Sequence, residues 1–281
     1  MDFKIGHNVS TIGGVSGALI MTHRIKGSAV QIVLGSMTDR NSIYELDPDD
    51  IKKTNAIRSK YGYYVVVHGK YIYNFCRNWT WQEDCLLKEL RIADGIAADV
   101  IIHQGKNVKE LNMTDETALE TFVLNISKVA KMMILSGLNN RIILENSSRQ
   151  GTELGYSIRH LKYIYALIPD ELKHKFAFCI DTCHIFVAGE VDWNSPGANT
   201  AFFEEFDREI GLEKLAVVHL NDSAIPFNGR NDNHAGLHCG HIKSGLKDFT
   251  KKCYELKIPM ILETPCEHIE SEIALAKDFL A

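Results

Sequence analysis

Short runs of β-branched and apolar residues alternate with longer stretches of helical period along the whole chain. The runs predict strands over 3–7, 29–34, 63–68, 99–103, 141–145, 176–181, 215–220 and 259–263. The stretches between and after them predict helices over 15–26, 48–61, 80–97, 115–136, 155–168, 195–210, 243–257 and 268–280. Local signals mark several boundaries. Asp47 precedes Pro48 as N-cap and first helical residue, Thr80-Trp81-Gln82-Glu83 has the form of a capping box, and Pro169 stops the fifth helix. Parallel neighbours need helical crossovers, so eight strand–helix units in a row call for a parallel sheet. Eight is also the number that closes a (β/α)8 barrel of the TIM type, usually about 250 residues long. No linker or composition shift divides the 281 residues, and the expectation is one barrel domain over 1–281. A doubly wound open sheet is the alternative.

The polar residues fall in a pattern that the apolar runs do not require. Strands of a parallel barrel are buried on both faces and poor in charge. Yet the third to eighth runs carry His68, His103, Glu145, Asp181, His219 and Glu263 at or next to their ends. In a barrel those ends share the C-terminal rim, where active sites form. One histidine or carboxylate there is ordinarily a hydrogen-bonded cap. Six in one mouth leave negative charges crowded and poorly solvated, an arrangement that divalent cations relieve. Mixed imidazole and carboxylate donors suit Zn, Mn or Fe better than Mg or Ca. His184, two residues beyond Asp181-Thr182, and Asp232-Asn233-His234 in the loop after the seventh strand add a three-ligand set, the kind that leaves a coordination position open. Cys179, Cys183, Cys239 and Cys266 lie near the same rim, and Cys183, which could pass for a ligand or nucleophile, is read as a packing residue.

Composition narrows the class. Apolar residues make up 45% and charged residues 24%, which excludes dominant disorder. No apolar run approaches the length of a membrane span, and the first residues lack the pattern of a secretory signal. Seven cysteines without a CxxC pair point to reduced thiols, hence to an intracellular compartment: cytoplasm, nucleus or, for a viral protein, the virion. The net charge of −5 opposes diffuse adhesion to nucleic acid and leaves room for a local positive groove.

Cys179-Ile180-Asp181-Thr182-Cys183-His184 resembles the C-x-D-T-C-H signature of the endonuclease IV class of apurinic/apyrimidinic endonucleases. Glu145-Asn146 with Gly151 and Leu154-Gly155, His219-Leu220-Asn221-Asp222-Ser223, Arg230 to His234 and Leu262-Glu263-Thr264 are similar to its other motifs, in order. The resemblance implies three zinc ions per chain, with manganese as the alternative at one site. His68, His103 and Glu145 would hold the first; Glu145, Asp181, His219 and Glu263 the second; His184, Asp232 and His234 the third. It implies hydrolysis of the phosphodiester 5′ to an abasic site in double-stranded DNA, leaving a 3′-hydroxyl and a 5′-deoxyribose phosphate. Glu145 and Glu263 are the expected catalytic carboxylates, acting on water in a monomeric base-excision-repair enzyme. Tyr71-Ile72 aligns with the family's Tyr-Leu wedge for the minor groove, and Arg40 takes the place of its inserted arginine. Lys70 and Arg230, with Arg77, Lys106 and Arg149, are expected phosphate contacts. Three positions depart from the family: Asn8 stands for the His of G-x-H-x-S, Asn233 for an arginine, and His238-Cys239-Gly240 for G-E-G. Two other readings stay open: a sugar isomerase or epimerase on a similar metal-dependent barrel, and a zinc-stabilised nucleic-acid-binding barrel without turnover.

Overall fold

The computed structural model describes residues 3–265 and 269–280; Met1-Asp2, Cys266 and the expected start of the last helix at 268 lie outside them. The main strands are β1 (Ile5–Asn8), β2 (Ala29–Val33), β3 (Tyr64–His68), β4 (Asp99–Ile102), β5 (Ile142–Glu145), β6 (Phe176–Asp181) and β7 (Leu215–His219). A two-residue ribbon, β8 (Asp222–Ser223) and β9 (His234–Ala235), precedes the last, β10 (Met260–Leu262). The main strands close in the order β1-β10-β7-β6-β5-β4-β3-β2. Gly6 pairs with Ile261 on one side and with Ala29 on the other, so the sheet has no edge and the open doubly wound alternative is excluded.

Helices α1 (Gly14–Arg24), α2 (Pro48–Tyr61), α3 (Thr80–Gly95), α4 (Asp115–Leu135) and α5 (Ile158–Leu167) follow strands β1 to β5. After β6 come α6 (Thr182–Val187) and α7 (Ala198–Glu209), then α8 (Gly245–Glu255) before β10 and α9 (Ile269–Asp278) after it. The Asp47 cap forms as read, its carboxylate accepting Asp49 N–H at 2.8 Å. The capping box does not. Thr80 is already the first helical residue, no side chain caps α3, and Glu83, the expected partner, lies 3.3 Å from Lys128 Nζ. Helix α5 begins at Ile158 rather than 155 because Gly155 is left-handed (φ 84°) and Ser157 caps, its hydroxyl accepting His160 N–H at 3.2 Å. Helix α6 escaped the sequence reading. It starts directly on Asp181, whose carboxylate caps it by accepting His184 N–H at 2.9 Å.

Strand periodicity divides the apolar residues between two regions. Alternate residues such as Val65 and Val67 face the helices and join the large outer core. The others, Ala29, Val66, Ile101, Ile143, Ala177, Cys179, Val217 and Ile261, fill the barrel interior as a separate cluster. This second cluster fixes what stands above it, because the next inward residue on each strand lies two positions later.

Candidate metal centre

Adding two to Val66, Ile101, Ile143, Cys179, Val217 and Ile261 gives His68, His103, Glu145, Asp181, His219 and Glu263. The six form the layer above the apolar floor. Adding two to Ala29 gives Gln31, a seventh polar member that the sequence reading passed over. All but His103 and Glu263 are nearly inaccessible to solvent.

Glu145 is at the middle. Its Oε2 lies 3.2 Å from His68 Nε2 and 3.4 Å from His103 Nε2. Its Oε1 lies 2.8 Å from His219 Nδ1. One oxygen thus faces each of two donor groups, His68/His103/Glu145 and Glu145/Asp181/His219/Glu263, whose ligand atoms lie within 4.8 Å of one another in each group. His184 and His234 stand to the side with Asp181. Asp232 reaches both, with Oδ2 3.2 Å from His184 Nε2 and Oδ1 3.1 Å from His234 Nε2. Asp181 Oδ2 is also 3.5 Å from His234 Nε2, so Asp181 borders the second and third sets together.

The backs of these rings are tied down. His68 Nδ1 donates to Gly69 O at 2.7 Å, His184 Nδ1 to Asn146 O at 2.9 Å, and His219 Nε2 to Gln31 Oε1 at 2.7 Å. Each bond fixes the tautomer that leaves the opposite nitrogen's lone pair turned into the pocket, the usual arrangement behind a metal-ligating imidazole. Gln31 Nε2 in turn donates to Glu263 Oε1 at 2.5 Å, and Asn221 Nδ2 to Asp181 Oδ2 at 2.6 Å. Asn146 Oδ1 accepts the Asp181 N–H at 2.7 Å. These three amides carry no signal of their own at the ends of apolar runs; a polar residue inside one, as in Ala29-Val30-Gln31-Ile32-Val33, was the available clue.

The donor set fits divalent cations. The buried Nε2 atoms of His184 and His234 have no hydrogen-bond partner among the described residues, although Asp232 oxygens lie just over 3 Å away. Close carboxylate and imidazole atoms without hydrogen-bond alignment are what ligands of one shared ion look like. Electrostatics agree. Burial pushes Glu145 toward the neutral acid, yet the imidazoles around it, His219 foremost, hold its carboxyl well below the usual range. Burial works against charge on His184 and His219 too, but Asp181 and Asp232 raise the first, and Cys179 followed by Glu145 and Glu263 the second, well above an ordinary histidine. His234 is raised in the same way, chiefly by Asp181 against burial, to about 9. The carboxylates therefore demand positive charge, and protons supply it when no cation is bound. Raised imidazoles must lose those protons to coordinate, so metal affinity should climb as pH rises through neutrality toward the raised His234 value of about 9. Calorimetric titration with zinc in two buffers of different ionisation enthalpy should show proton release; none at neutral pH contradicts the charge balance.

The mouth opens into a cavity of about 480 Å³ lined by Tyr71, Ile72, Trp79, His103, His184 and Asp232 among others. A larger cleft of about 830 Å³ lies between α7 and α8, but its lining includes no histidine and no residue of the cluster. The chemistry, not the volume, picks the site.

Comparison with known proteins bears on this arrangement. Residues 23–281 match the family described as a xylose isomerase-like TIM barrel. A protein of Acanthamoeba polyphaga mimivirus, named as an endonuclease 4, is 34% identical over 97% of this chain and 88% of its own. The chain belongs to the endonuclease IV family. A Carboxydothermus hydrogenoformans relative, also named as an endonuclease 4, is 29% identical over 98% of this chain and 95% of its own. The crystal structure of endonuclease IV from Thermus thermophilus superposes with a TM-score of 0.84 at 25% identity, covering 99% of this chain and 98% of that one.

Set against the endonuclease IV pattern, two of the three departures can be placed by what surrounds them. Asn8 is exposed at the end of β1, while its neighbour His7 is buried and bonds through Nδ1 to Asn8 O at 2.8 Å. His238 stacks on Phe279, with centroids 4.8 Å apart, and is left-handed (φ 66°). The altered turn is still held, because the buried Asp222 carboxylate accepts N–H groups from Gly240, Ile242 and Lys243 at 2.8–3.2 Å. Burial pushes the thiols of Cys179 and Cys183 up to about 12, so both stay protonated, as packing residues do.

The expected DNA contacts divide. Tyr71 is 59% exposed and Ile72 half-buried beside it, 5.2 Å separating the Tyr71 and His68 rings. Arg40 is exposed and lies over Trp81, 5.8 Å from its ring centroid. Arg230 is exposed in the loop after β7, its main chain bonded to Val187 O. Lys106 pairs with Glu153 at 3.2 Å and Arg77 lies over Trp79 at 4.4 Å, both beside the cavity. Arg149 is turned inward onto Tyr156 at 4.5 Å. Lys70 is a correction. It is 3% exposed, with Nζ spent on the carbonyls of Ser36 and Ser42 at 2.6 Å each, and offers no charge to a phosphate.

Proposed function

We propose that this protein is a zinc-dependent apurinic/apyrimidinic endonuclease. It cleaves the phosphodiester 5′ to an abasic site in duplex DNA, leaving a 3′-hydroxyl and a 5′-deoxyribose phosphate. The observation that carries the reading is the double contact of Glu145, one oxygen toward His68 and His103, the other toward His219, with the His184/Asp232/His234 group alongside. Three divalent cations held by the three sets would supply Lewis acidity, neutralise phosphate charge and favour the ionised form of water. Everything else falls to the chain. Glu145 and Glu263 orient the attacking water, and Gln31 fixes the carboxylate of Glu263. The cavity beside His103, His184 and Asp232 receives the unstacked abasic sugar. Tyr71 and Ile72 occupy the space left by the missing base. Such a site reads no base, so selection rests on how easily the damaged duplex bends.

The direct test is a duplex carrying one tetrahydrofuran abasic analogue, which resists β-elimination. A nick there that disappears on metal stripping and returns with zinc supports the assignment; an intact duplex under full metal loading sends it to the isomerase or binding-only readings. Replacing Tyr71 and Ile72 together with alanine should raise the half-saturating enzyme concentration roughly tenfold to a hundredfold, as loss of stacking and wedge contacts does. The single-turnover rate at saturation should change much less. A collapse of that rate with unchanged affinity would place the pair in the chemistry instead.

A further inference from the structure

The buried position of Lys70 has a use. The β2–α2 loop leaves the barrel at Leu34 and narrows at once, since a Cβ on Gly35 (φ 105°) would lie 2.0 Å from Ser42 O. Ser36 N–H donates to Ser42 Oγ at 2.9 Å across the same neck. Lys70, from the β3–α3 loop, places its ammonium between the two sides and donates to Ser36 O and Ser42 O. The next residue completes the join, with Tyr71 N–H donating to Met37 O at 3.0 Å. Inside the loop Asn41 N–H bonds to Asp39 Oδ1 at 2.9 Å, and the Cys85 thiol of α3 reaches Arg40 O at 3.5 Å. On the far side Tyr73 Oη donates to the buried Glu89 carboxylate of α3 at 2.7 Å.

We propose that Lys70 is a positioning residue that joins the Arg40 loop to the Tyr71-Ile72 loop as one preformed edge for reading DNA. The proposal rests on the reading of that edge as the DNA-contacting one. Two carbonyls in an irregular loop otherwise need water or disorder to satisfy them. One ammonium with three donors satisfies both and shuts the neck. A loop ordered before binding costs nothing to order during it, so the gain is in affinity for the duplex. The same bonds remove the charge from contact with phosphate, so Lys70 releases no counterion when DNA binds.

The test compares Lys70→Met with wild type in single-turnover nicking of the tetrahydrofuran duplex at several salt concentrations, together with hydrogen exchange without DNA. The expected result is roughly tenfold weaker half-saturation, about one good interface contact. The saturating rate should stay within about twofold. The slope of log affinity against log salt should be unchanged, while amides of residues 36–42 exchange faster. In an Arg40→Ala background the penalty for Lys70→Met should shrink, because both act through one loop. A slope smaller by about one, with loop exchange unaltered, makes Lys70 a phosphate ligand and overturns the proposal. Gly35→Ala opens the neck while keeping Lys70; it should weaken half-saturation in the same way, and wild-type affinity there overturns the proposal even if Lys70→Met does not fold. Wild-type protein that leaves the duplex intact contradicts the functional reading alone, since the exchange measurement needs no DNA.

Discussion

Replacing Glu145 with alanine should lower nicking of an abasic duplex by at least about a thousandfold while the barrel stays folded. Losing a group that only backs a metal ligand costs about 10- to 100-fold. Glu145 is closer to the chemistry than that, because it touches two donor sets, with His68 and His103 near one oxygen and His219 near the other. Metal should leave both sets, while His184, Asp232 and His234 keep one another's company and their cation. Folding survives because Glu263 and Asp181 still face His219, and because the imidazoles that lose Glu145 can give up a proton and stay as neutral rings. Glu145→Gln separates charge from shape: it keeps an acceptor oxygen and should still lose most activity. Elemental analysis, nicking rate and circular dichroism on both variants decide the matter. A full metal complement, or activity within tenfold of wild type in a folded Glu145→Ala protein, sinks the shared-ligand arrangement.

The barrel was legible because its signal is repeated. Eight apolar runs at similar spacing are hard to read as anything but a parallel sheet, and each run that ended in His, Asp or Glu marked the rim by the same token. What stayed hidden was whatever depends on one contact. The capping box at Thr80 failed because the helix already includes Thr80 and because Glu83 pairs with Lys128 of α4, a partner present only once the helices pack. Gln31 holds His219 and Glu263 together, yet in the sequence it is one polar letter inside a strand. Helix α6 has six residues, too few to show a period, and exists because Asp181 caps it. Lys70 shows the limit most clearly: a lysine in a rim loop reads as surface charge, and only the neighbouring Ser36 and Ser42 carbonyls make it an internal clamp. Rim position was readable; direction was not.

The other large effect concerns the seam of the barrel. Gly6→Ala should destabilise the protein by about 3 kcal/mol or more, toward the severe end of single substitutions. Strand β1 pairs with β10 and β2 at this residue, Gly6 opposite Ile261 and Ala29. A Cβ there would sit 1.5 Å from Ala29 O and 2.4 Å from Ala29 C, both backbone atoms that no rotamer change can move. Relief requires β1 and β2 to part where the sheet closes, which frees ladder hydrogen bonds and disturbs Gln31, two residues along β2 from Ala29. Loss of metal affinity should therefore accompany the loss of stability, although Gly6 contacts no ligand in the donor sets. Gly17→Ala is the control: it lies within α1 with nothing inside 4 Å of the added Cβ, and should stabilise by about 0.5–1 kcal/mol through helix propensity. Thermal and denaturant melts of the two variants settle it. If Gly6→Ala melts within a few degrees of wild type, the close approach of β1 to β2 is wrong, and with it the geometry that brings Gln31 beneath Glu263 and His219.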